Sequence, residues 1–511
     1  MGVDHIETRP GAYADSVALM QASAQVRESA GVEAALVAMG TDLNLGLLTE
    51  QGFAAPPQAG PNDLIVAIRA RDEESLAAAL AALAGVVPGA QPLPAGPAAT
   101  SGPAAIPGTA PGPGTAPGAA PRTVSAAVRA HGPGLALISV PGQHAFTEAM
   151  DALDAGCDVM IFSDNVLVEQ EILLKDTAAR RGLLVMGPDC GTALIGGVGL
   201  GFSHSLPPGP IGIAAASGTG AQQVLCLLDA AGTGVTAVLG TGGRDLSAAV
   251  NGRATRAALA ALDAEPGCAL ILVISKPPDP AVAADLREFA ARLGTPVRFA
   301  FLGPGEPDLT AATGAVLTEL GVAVPRWPAW QSTPAAPRPG ALRGLFAGGS
   351  LCTEAMVIAS ERLGPVHSNI PLRPDWRLPP GWRSMPGQGE HIMVDFGDDE
   401  LTAGRPHPMI DQSLRIERLA AEAAGPATAV VLLDVVLGHG AQPDPAAELA
   451  PVITDTCARR GITVAVSLIG ARSDPQDLAA QAETLRTAGA HVFVSNAQAT
   501  RFACGQIESQ P

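Results

Sequence analysis

The chain has 511 residues, more than one core serves, so about three or four domains are expected. Hydrophobic residues make up 47% and charged residues 16%, and the formal net charge of −18 argues against general nucleic-acid binding, which needs a positive footprint. The seven cysteines are scattered without CxxC spacing, so neither structural zinc nor a disulfide framework is expected, and a reducing compartment fits. No basic segment followed by an apolar core opens the sequence, and runs such as Ala429–Leu437 are too short to span a bilayer. These observations predict a soluble cytoplasmic protein.

Residues 1–88 read as a small N-terminal α/β module. Asp15 is a good N-cap for a helix over Ser16–Ala30, and strands follow at Val32–Met39 and Leu64–Ile68. A second helix opens at Asp72-Glu73-Glu74, whose carboxylates suit a positive helix start. Residues 89–121 are almost entirely Pro, Gly, Ala, Ser and Thr and read as an extended, mobile linker. Residues 122–208 then alternate: strand Leu135–Val140, helix Phe146–Asp154, strand Val159–Phe162, helix Val166–Arg181, strand Leu183–Met186. Such alternation predicts a parallel sheet covered on both faces. In residues 209–324, strands are expected at Ile211–Ala216, Val235–Leu239, Leu270–Ile274 and Val297–Leu302, with helices over Ala221–Ala231 and Leu246–Leu262. A Pro-rich stretch, 325–340, precedes a third unit, 341–511, with strands at Gly344–Phe346, His391–Asp395, Ala429–Val436, Thr463–Leu468 and Val492–Ser495. The predicted class is α/β throughout.

Three glycine-rich turns follow buried strands in the middle of the chain. They are Gly187-Pro188-Asp189-Cys190, Ser217-Gly218-Thr219-Gly220 and Gly242-Gly243-Arg244-Asp245. A strand, a glycine turn and a helix aim backbone N–H groups at an anion, so a phosphate or carboxylate ligand is the first hypothesis. The plainer reading of Ser217 and Asp245 is an ordinary helix N-cap. Cys190 is either a nucleophile or a buried small hydrophobe, and Lys276 either offsets substrate charge or lies on the surface. In the third unit Asp395, Asp398, Asp399, Glu400, His407 and Asp411 are the densest polar cluster, and His439 follows a buried strand in Gly438-His439-Gly440. His407, His439 and Asp398 are the candidate catalytic groups, against a solvated acidic loop with hydrogen-bonded histidines. Arg405 pairs either with a substrate carboxylate or with Asp398. No metal site is expected.

These same motifs carry a resemblance. Ala136-Leu137-Ile138-Ser139-Val140-Pro141-Gly142, Gly187-Pro188-Asp189-Cys190, Ser217-Gly218-Thr219 and Gly242-Gly243-Arg244-Asp245 follow in the order found in the alpha subunit of succinyl-CoA synthetase. Gly344-Leu345-Phe346-Ala347-Gly348-Gly349 and Val394-Asp395-Phe396-Gly397 are similar to the beta subunit's ligase domain. The stretches Val159–Val166, Val168–Glu171, Asp398–Thr402, Gly404–Asp411 and Leu432–Gly440 make the whole chain resemble the FdrA family. The resemblance implies a CoA-binding-like Rossmann domain at 122–208 and flavodoxin-like ligase domains at 209–324 and 341–511. It also implies small-anion contacts by Ser217, Gly218, Thr219, Gly242, Gly243, Asp245, Gly187, Pro188, Asp189 and Cys190. If CoA binds, Pro141 and Gly142 would meet it; no other cofactor is implied.

The sequence departs from the synthetase where its chemistry lies. No histidine stands between Ile271 and Pro339 to carry phosphate, and the strand that should lead to an orienting glutamate ends Ser275-Lys276-Pro277-Pro278. No Walker sequence is present. The FdrA resemblance instead implies a subunit of a carbamoyltransferase complex that joins carbamoyl phosphate and oxamate, works with companion subunits and has a possible homo-oligomeric state. An acyl-CoA synthetase and a non-catalytic scaffold are the alternatives.

Overall fold

The computed structural model describes residues 2–9, 16–54, 56, 59–60, 63–86, 121, 123–333, 336–379, 382, 389–402, 405–459 and 461–508. Asp15, Gly404 and, apart from Pro121, the expected linker lie outside these residues. The chain divides into two compact units, residues 1–134 with 154–157 and residues 135–153 with 158–511.

The first unit runs β1 (Val3–Arg9), α1 (Ser16–Glu28), β2 (Val32–Met39), α2 (Asp42–Glu50), β3 (Leu64–Ala70), α3 (Glu73–Val86) and α4 (Val124–His131). Its sheet is antiparallel in the order β1-β3-β2. The central strand β3 is apolar along its length because both faces are covered. Val66 and Ile68 meet Leu19, Val26 and Leu83, while Ile65 and Ala67 meet Leu48 and Phe53. The edge strand β1 escapes sequence prediction because Asp4, His5, Glu7 and Arg9 break its apolar pattern, a usual protection for an edge.

The second unit contains three sheets. The first is formed by β4 (Leu135–Ile138), α5 (Gly142–Asp154), β5 (Asp158–Ile161), α6 (Val168–Arg181) and β6 (Val185–Met186), with parallel order β4-β5-β6. Next come β7 (Thr192–Ile195), β8 (Val198–Gly201), β9 (Pro208–Ala216), α7 (Gly218–Ala230), β10 (Val235–Gly240), α8 (Arg253–Asp263), β11 (Leu270–Ser275), α9 (Pro280–Ala290), β12 (Val297–Phe301) and α10 (Leu309–Glu319). Their sheet has the order β12-β11-β9-β10-β7-β8, parallel except for the β7–β8 hairpin and its join to β10.

The third sheet is built from β13 (Ala329–Trp330), β14 (Ala341–Phe346), α11 (Gly349–Leu363), β15 (Val366–His367), β16 (His391–Asp395), α12 (Asp399–Thr402), α13 (Ser413–Ala424), β17 (Thr428–Val436), α14 (Pro445–Ala458), β18 (Thr463–Ile469), α15 (Leu478–Thr487), β19 (His491–Phe493) and α16 (Asn496–Gly505). Its order is β13-β19-β18-β17-β14-β16-β15, with β13 the antiparallel edge. The expected α/β class with parallel sheets is borne out.

In both large sheets the first parallel strand, β9 or β14, sits inside the order, and the chain leaves it to opposite sides. The carboxyl end of such a strand is a topological switch point, where crevices open. Helices α7 and α11 begin at these points and pack against each other. Gln223 of α7 accepts from Asn496 N at 2.8 Å, and Glu354 of α11 accepts from Leu309 N at 2.7 Å. Each helix therefore reaches across to hold the start of a helix from the other sheet's half of the chain.

The helix expected over Leu246–Leu262 starts only at Arg253. Asp245 explains the delay. It caps α8 from a distance, accepting from Ala254 N and Thr255 N at 3.1 and 2.8 Å, after a turn through Gly252 at φ +63°. Lys175 joins Asp245 at 2.9 Å and Glu171 at 2.6 Å, with all three side chains buried. Removing Lys175 would leave the buried Asp245 carboxylate without a cation and Glu171 with Arg244 alone. Lys175→Met is expected to cost about 3–5 kcal/mol in denaturant unfolding; a loss below ~1 kcal/mol would mean that this cluster does not hold α6 to α8.

Candidate functional site

The starts of α7 and α11 face each other at close range. Ser217 Oγ donates to Ser350 Oγ at 2.6 Å while accepting from Gly220 N at 3.1 Å, so it caps α7 and ties it to α11. A Cβ on Gly348 would lie 2.9 Å from the Thr219 side chain, so only glycine allows this approach. α11 has no side-chain cap. Its preceding turn is held from behind by Asp434, which accepts from Ala347 N and Gly348 N at 2.7 and 2.8 Å and pairs with buried Arg415 at 3.0 Å. The first N–H groups of a helix have no partner within it, so this gap gathers donors from two directions.

Charged groups line the gap. Lys276 follows β11 and, among the described residues, makes no hydrogen bond or direct ion pair. A Cβ on Gly349 would lie 2.5 Å from Asp395 Oδ2 and 3.0 Å from Lys276 Nζ, which brings both to the start of α11. Asp395 is 5% exposed. Burial pushes its pKa up to about 7, outweighing the opposing effects of Lys276 and of the Gly397 N–H that its Oδ1 accepts.

Asp189 stands at φ +57° in the turn after β6, following a cis Gly187–Pro188 peptide. Its residue stays open to solvent, yet the crowded walls push its pKa up to about 7; Lys276 opposes the rise, and Asp399 and Asp164 add to it. Gly242, at φ +93°, lies so close to Pro188 that a Cβ would be 2.6 Å from the Pro188 carbonyl oxygen. A Cβ on Gly243 would lie 3.1 Å from Asp189 Oδ2. The three glycine turns predicted from sequence thus converge, together with Gly348–Ser350 and the acidic segment around Asp399.

His407 also belongs to this neighbourhood. Its Nδ1 accepts from Met409 N at 3.2 Å, which leaves the proton of the neutral ring on Nε2. That nitrogen lies beside Gly397, where a Cβ would stand 2.7 Å away, and the ring rests 5.7 Å from that of Phe202. Burial, with Arg415 adding to it, pushes the pKa down to about 4, so His407 is neutral at neutral pH.

The other expected residues have local partners or burial of their own. Asp245 is fully buried, and both of its oxygens are taken by Lys175, Ala254 N, Thr255 N and Thr255 Oγ1, so it serves α8 rather than a ligand. Cys190 is 2% exposed and burial pushes its thiol up to about 12, which disfavours the thiolate. His439 pairs through Nε2 with Ser205 Oγ at 2.9 Å, and its backbone is bridged to Ser203. Asp398 Oδ1 accepts from Glu400 N at 3.1 Å, an N-cap-like bond at the start of α12. Gly142 packs into the turn before α6, its Cβ position 2.1 Å from Asp164 O, while Pro141 is exposed. Arg405 is exposed, and its backbone N–H donates to Thr402 O. Gly348–Ser350 also belong to the site, and they repeat the strand, glycine turn and helix order of Ser217–Gly220. A separate cavity of about 280 Å³, lined by Glu306, Asp308, Glu354 and Arg501 among others, includes none of the gap's residues.

Comparison with known proteins follows this geometry. Residues 345–504 match the CoA-ligase family, and residues 1–93 match AllF, heavy metal-associated domain. YahF of Escherichia coli (strain K12) is 36% identical over 516 residues, covering 95% of each chain. The chain belongs to the YahF family. The ADP-forming succinate–CoA ligase alpha subunit of Aquifex aeolicus (strain VF5) is 28% identical over 160 residues, 30% of this chain and 51% of that subunit. This YahF-family chain therefore spans about half of that relative's length. Acetyl-coenzyme A synthetase 1 of Ca. Korarchaeum cryptofilum, solved with phosphate and ADP, matches at TM-score 0.27 and 15% identity, over 74% of this chain and 85% of that one. The protein is succinyl-CoA synthetase-like and carries a CoA-ligase domain, as the resemblance implied. The heavy metal of the first domain's family description does not fit this member. Residues 1–93 hold no cysteine, and no group of three or more His, Cys, Asp or Glu is placed to hold a metal among the described residues. Among those residues no helix is long and apolar enough to cross a membrane.

The raised pKa of Asp395 has a stability consequence with a definite sign. A carboxyl whose folded pKa exceeds its unfolded value costs stability as pH rises from the unfolded value, near 4, until it reaches the folded one, about 7. Asp395→Asn is therefore expected to melt above the parent protein at about pH 8 and level with it near pH 4. Equal melting at both pH values would place the Asp395 pKa in the ordinary carboxyl range.

Proposed function

We propose that the gap between α7 and α11 binds the phosphate of a small activated donor and supports transfer of its acyl or carbamoyl group, with carbamoyl phosphate the first donor to test. The observation that carries this reading is the close approach of two helix N-termini, with Lys276, a cation without a direct protein partner among the described residues, beside the start of α11. Ser217, Gly218 and Thr219 would contribute from one side, with Gly349 and Ser350 from the other. In carbamoyl transfer, an acceptor nitrogen attacks the carbonyl carbon, the bond from that carbon to the phosphate oxygen breaks, and phosphate departs. The acceptor nitrogen must shed a proton, and Asp189 or Asp395, with pKa values near 7, would take it. Electrostatic preorganisation and alignment supply the rest, so no covalent intermediate is required. Oxamate is the acceptor proposed, and companion subunits would complete the complex.

A second reading is an acid–thiol ligase with CoA near Pro141 and Gly142, favoured by the CoA-ligase match over residues 345–504. It would need a phosphate-accepting histidine. His407 is the candidate nearest the gap, but its Nδ1 lone pair is engaged by Met409 N and its Nε2 carries the proton, which makes it a poor acceptor as it stands.

Calorimetric titration with carbamoyl phosphate, oxamate and CoA separates the readings. The parent protein should bind carbamoyl phosphate, and Lys276→Met or Ser217→Asp should weaken that binding at least about tenfold, as expected for losing a charge-assisted contact. Binding of CoA alone, with γ-phosphate incorporation from ATP, would overturn the transferase reading in favour of the ligase.

A further inference from the structure

Arg244 is the second cation of the gap. It lies in the exposed part of the Gly242–Asp245 turn, next to a residue committed to the core. Its Nη2 donates to Val166 O at 2.8 Å and to Glu171 Oε2 at 2.9 Å. Glu171 is itself locked, because its side chain is 1% exposed and its other oxygen takes Lys175 Nζ at 2.6 Å. One nitrogen of the guanidinium is thus fixed by buried groups while the side chain as a whole remains 46% exposed. Its Nη1 and Nε donors have no partner among the described residues. Holding a long side chain in advance lowers the entropic cost of binding.

The surroundings sort the two cations by ligand. Lys276 stands beside the start of α11, which itself meets the start of α7, and this suits a doubly charged phosphate. Arg244 has no such support, since the start of the nearby α8 is already occupied by the Asp245 carboxylate. A lone, anchored guanidinium suits a singly charged, planar carboxylate. Asp189 feels both cations and pairs directly with neither, and its Oδ2 lies 3.1 Å from the Cβ position of Gly243, the residue before Arg244. We infer that Arg244 is the docking point for a substrate carboxylate, which makes the gap selective for a small acceptor carrying that group close to its reacting nitrogen. The word acceptor rests on the transfer reading above; the carboxylate contact does not.

The test titrates inorganic phosphate and oxamate separately into the full chain and into Arg244→Met, Arg244→Lys and Lys276→Met, with a melting curve for each. Arg244→Met should lose oxamate affinity at least about tenfold and keep phosphate affinity within about twofold, and Lys276→Met should do the reverse. Arg244→Lys keeps the charge without the fixed fork and should fall between, which guards against misfolding as the cause. Oxamate binding that is absent in the parent, or unchanged in a folded Arg244→Met, would overturn the inference. Phosphate that fails to bind while oxamate binds through Arg244 would sink the transfer reading and leave the carboxylate site standing.

Discussion

Two helices that begin at the same point in space bring two positive poles together. Each helix start carries roughly half an elementary charge, so their approach is unfavourable unless something negative lies nearby. In this protein the negative charge sits behind and beside the poles. Asp434 grips the turn before α11, and Asp395 reaches the start of that helix from β16. The space in front of the poles is left to Lys276 and to whatever binds there. Glycine at 348 and the Ser217–Ser350 bond follow from this arrangement, because a side chain at 348 would meet Thr219 of α7, while one at 349 would meet Asp395 and Lys276.

The rest of the site is organised around the same crowding. Burial, with neighbouring carboxylates adding to it, raises the pKa values of Asp189, Asp395 and Asp399. Near neutrality Asp189 and Asp395 hold protons part of the time, which reduces the negative field that an incoming anion meets. Binding an anion raises their pKa values further, so anion binding and proton uptake are coupled. The buried Glu171–Lys175–Asp245 cluster serves the gap indirectly, by fixing α6 to the Gly242–Asp245 turn and presenting Arg244.

Much of this architecture is legible in sequence for a simple reason. The apolar runs of β9 and β10 lead straight into glycine turns, and those turns mark the crevice. Sequence says less about direction. Cys190 and His439 both follow strand ends, yet one thiol is buried in the core and the other ring turns to Ser205. Lys175 and Glu171 look like surface charges on a helix of ordinary composition, and only the packing of α8 shows them buried. The β7–β8 hairpin hides in the glycine-rich stretch Thr192–Gly201, and β1 hides behind its edge charges. Gly348–Ser350 needed the fold to bring them opposite Ser217, since 133 positions separate the two serines that bond.

The central claim is that an anion occupies the gap between the two helix starts. A crystal structure of the full chain grown with inorganic phosphate tests it most directly. The account predicts phosphate within hydrogen-bonding reach of Lys276 Nζ and of first-turn N–H groups from both α7 and α11. Phosphate bound elsewhere, or a gap closed by a direct Lys276–Asp395 contact at saturating phosphate, would contradict it.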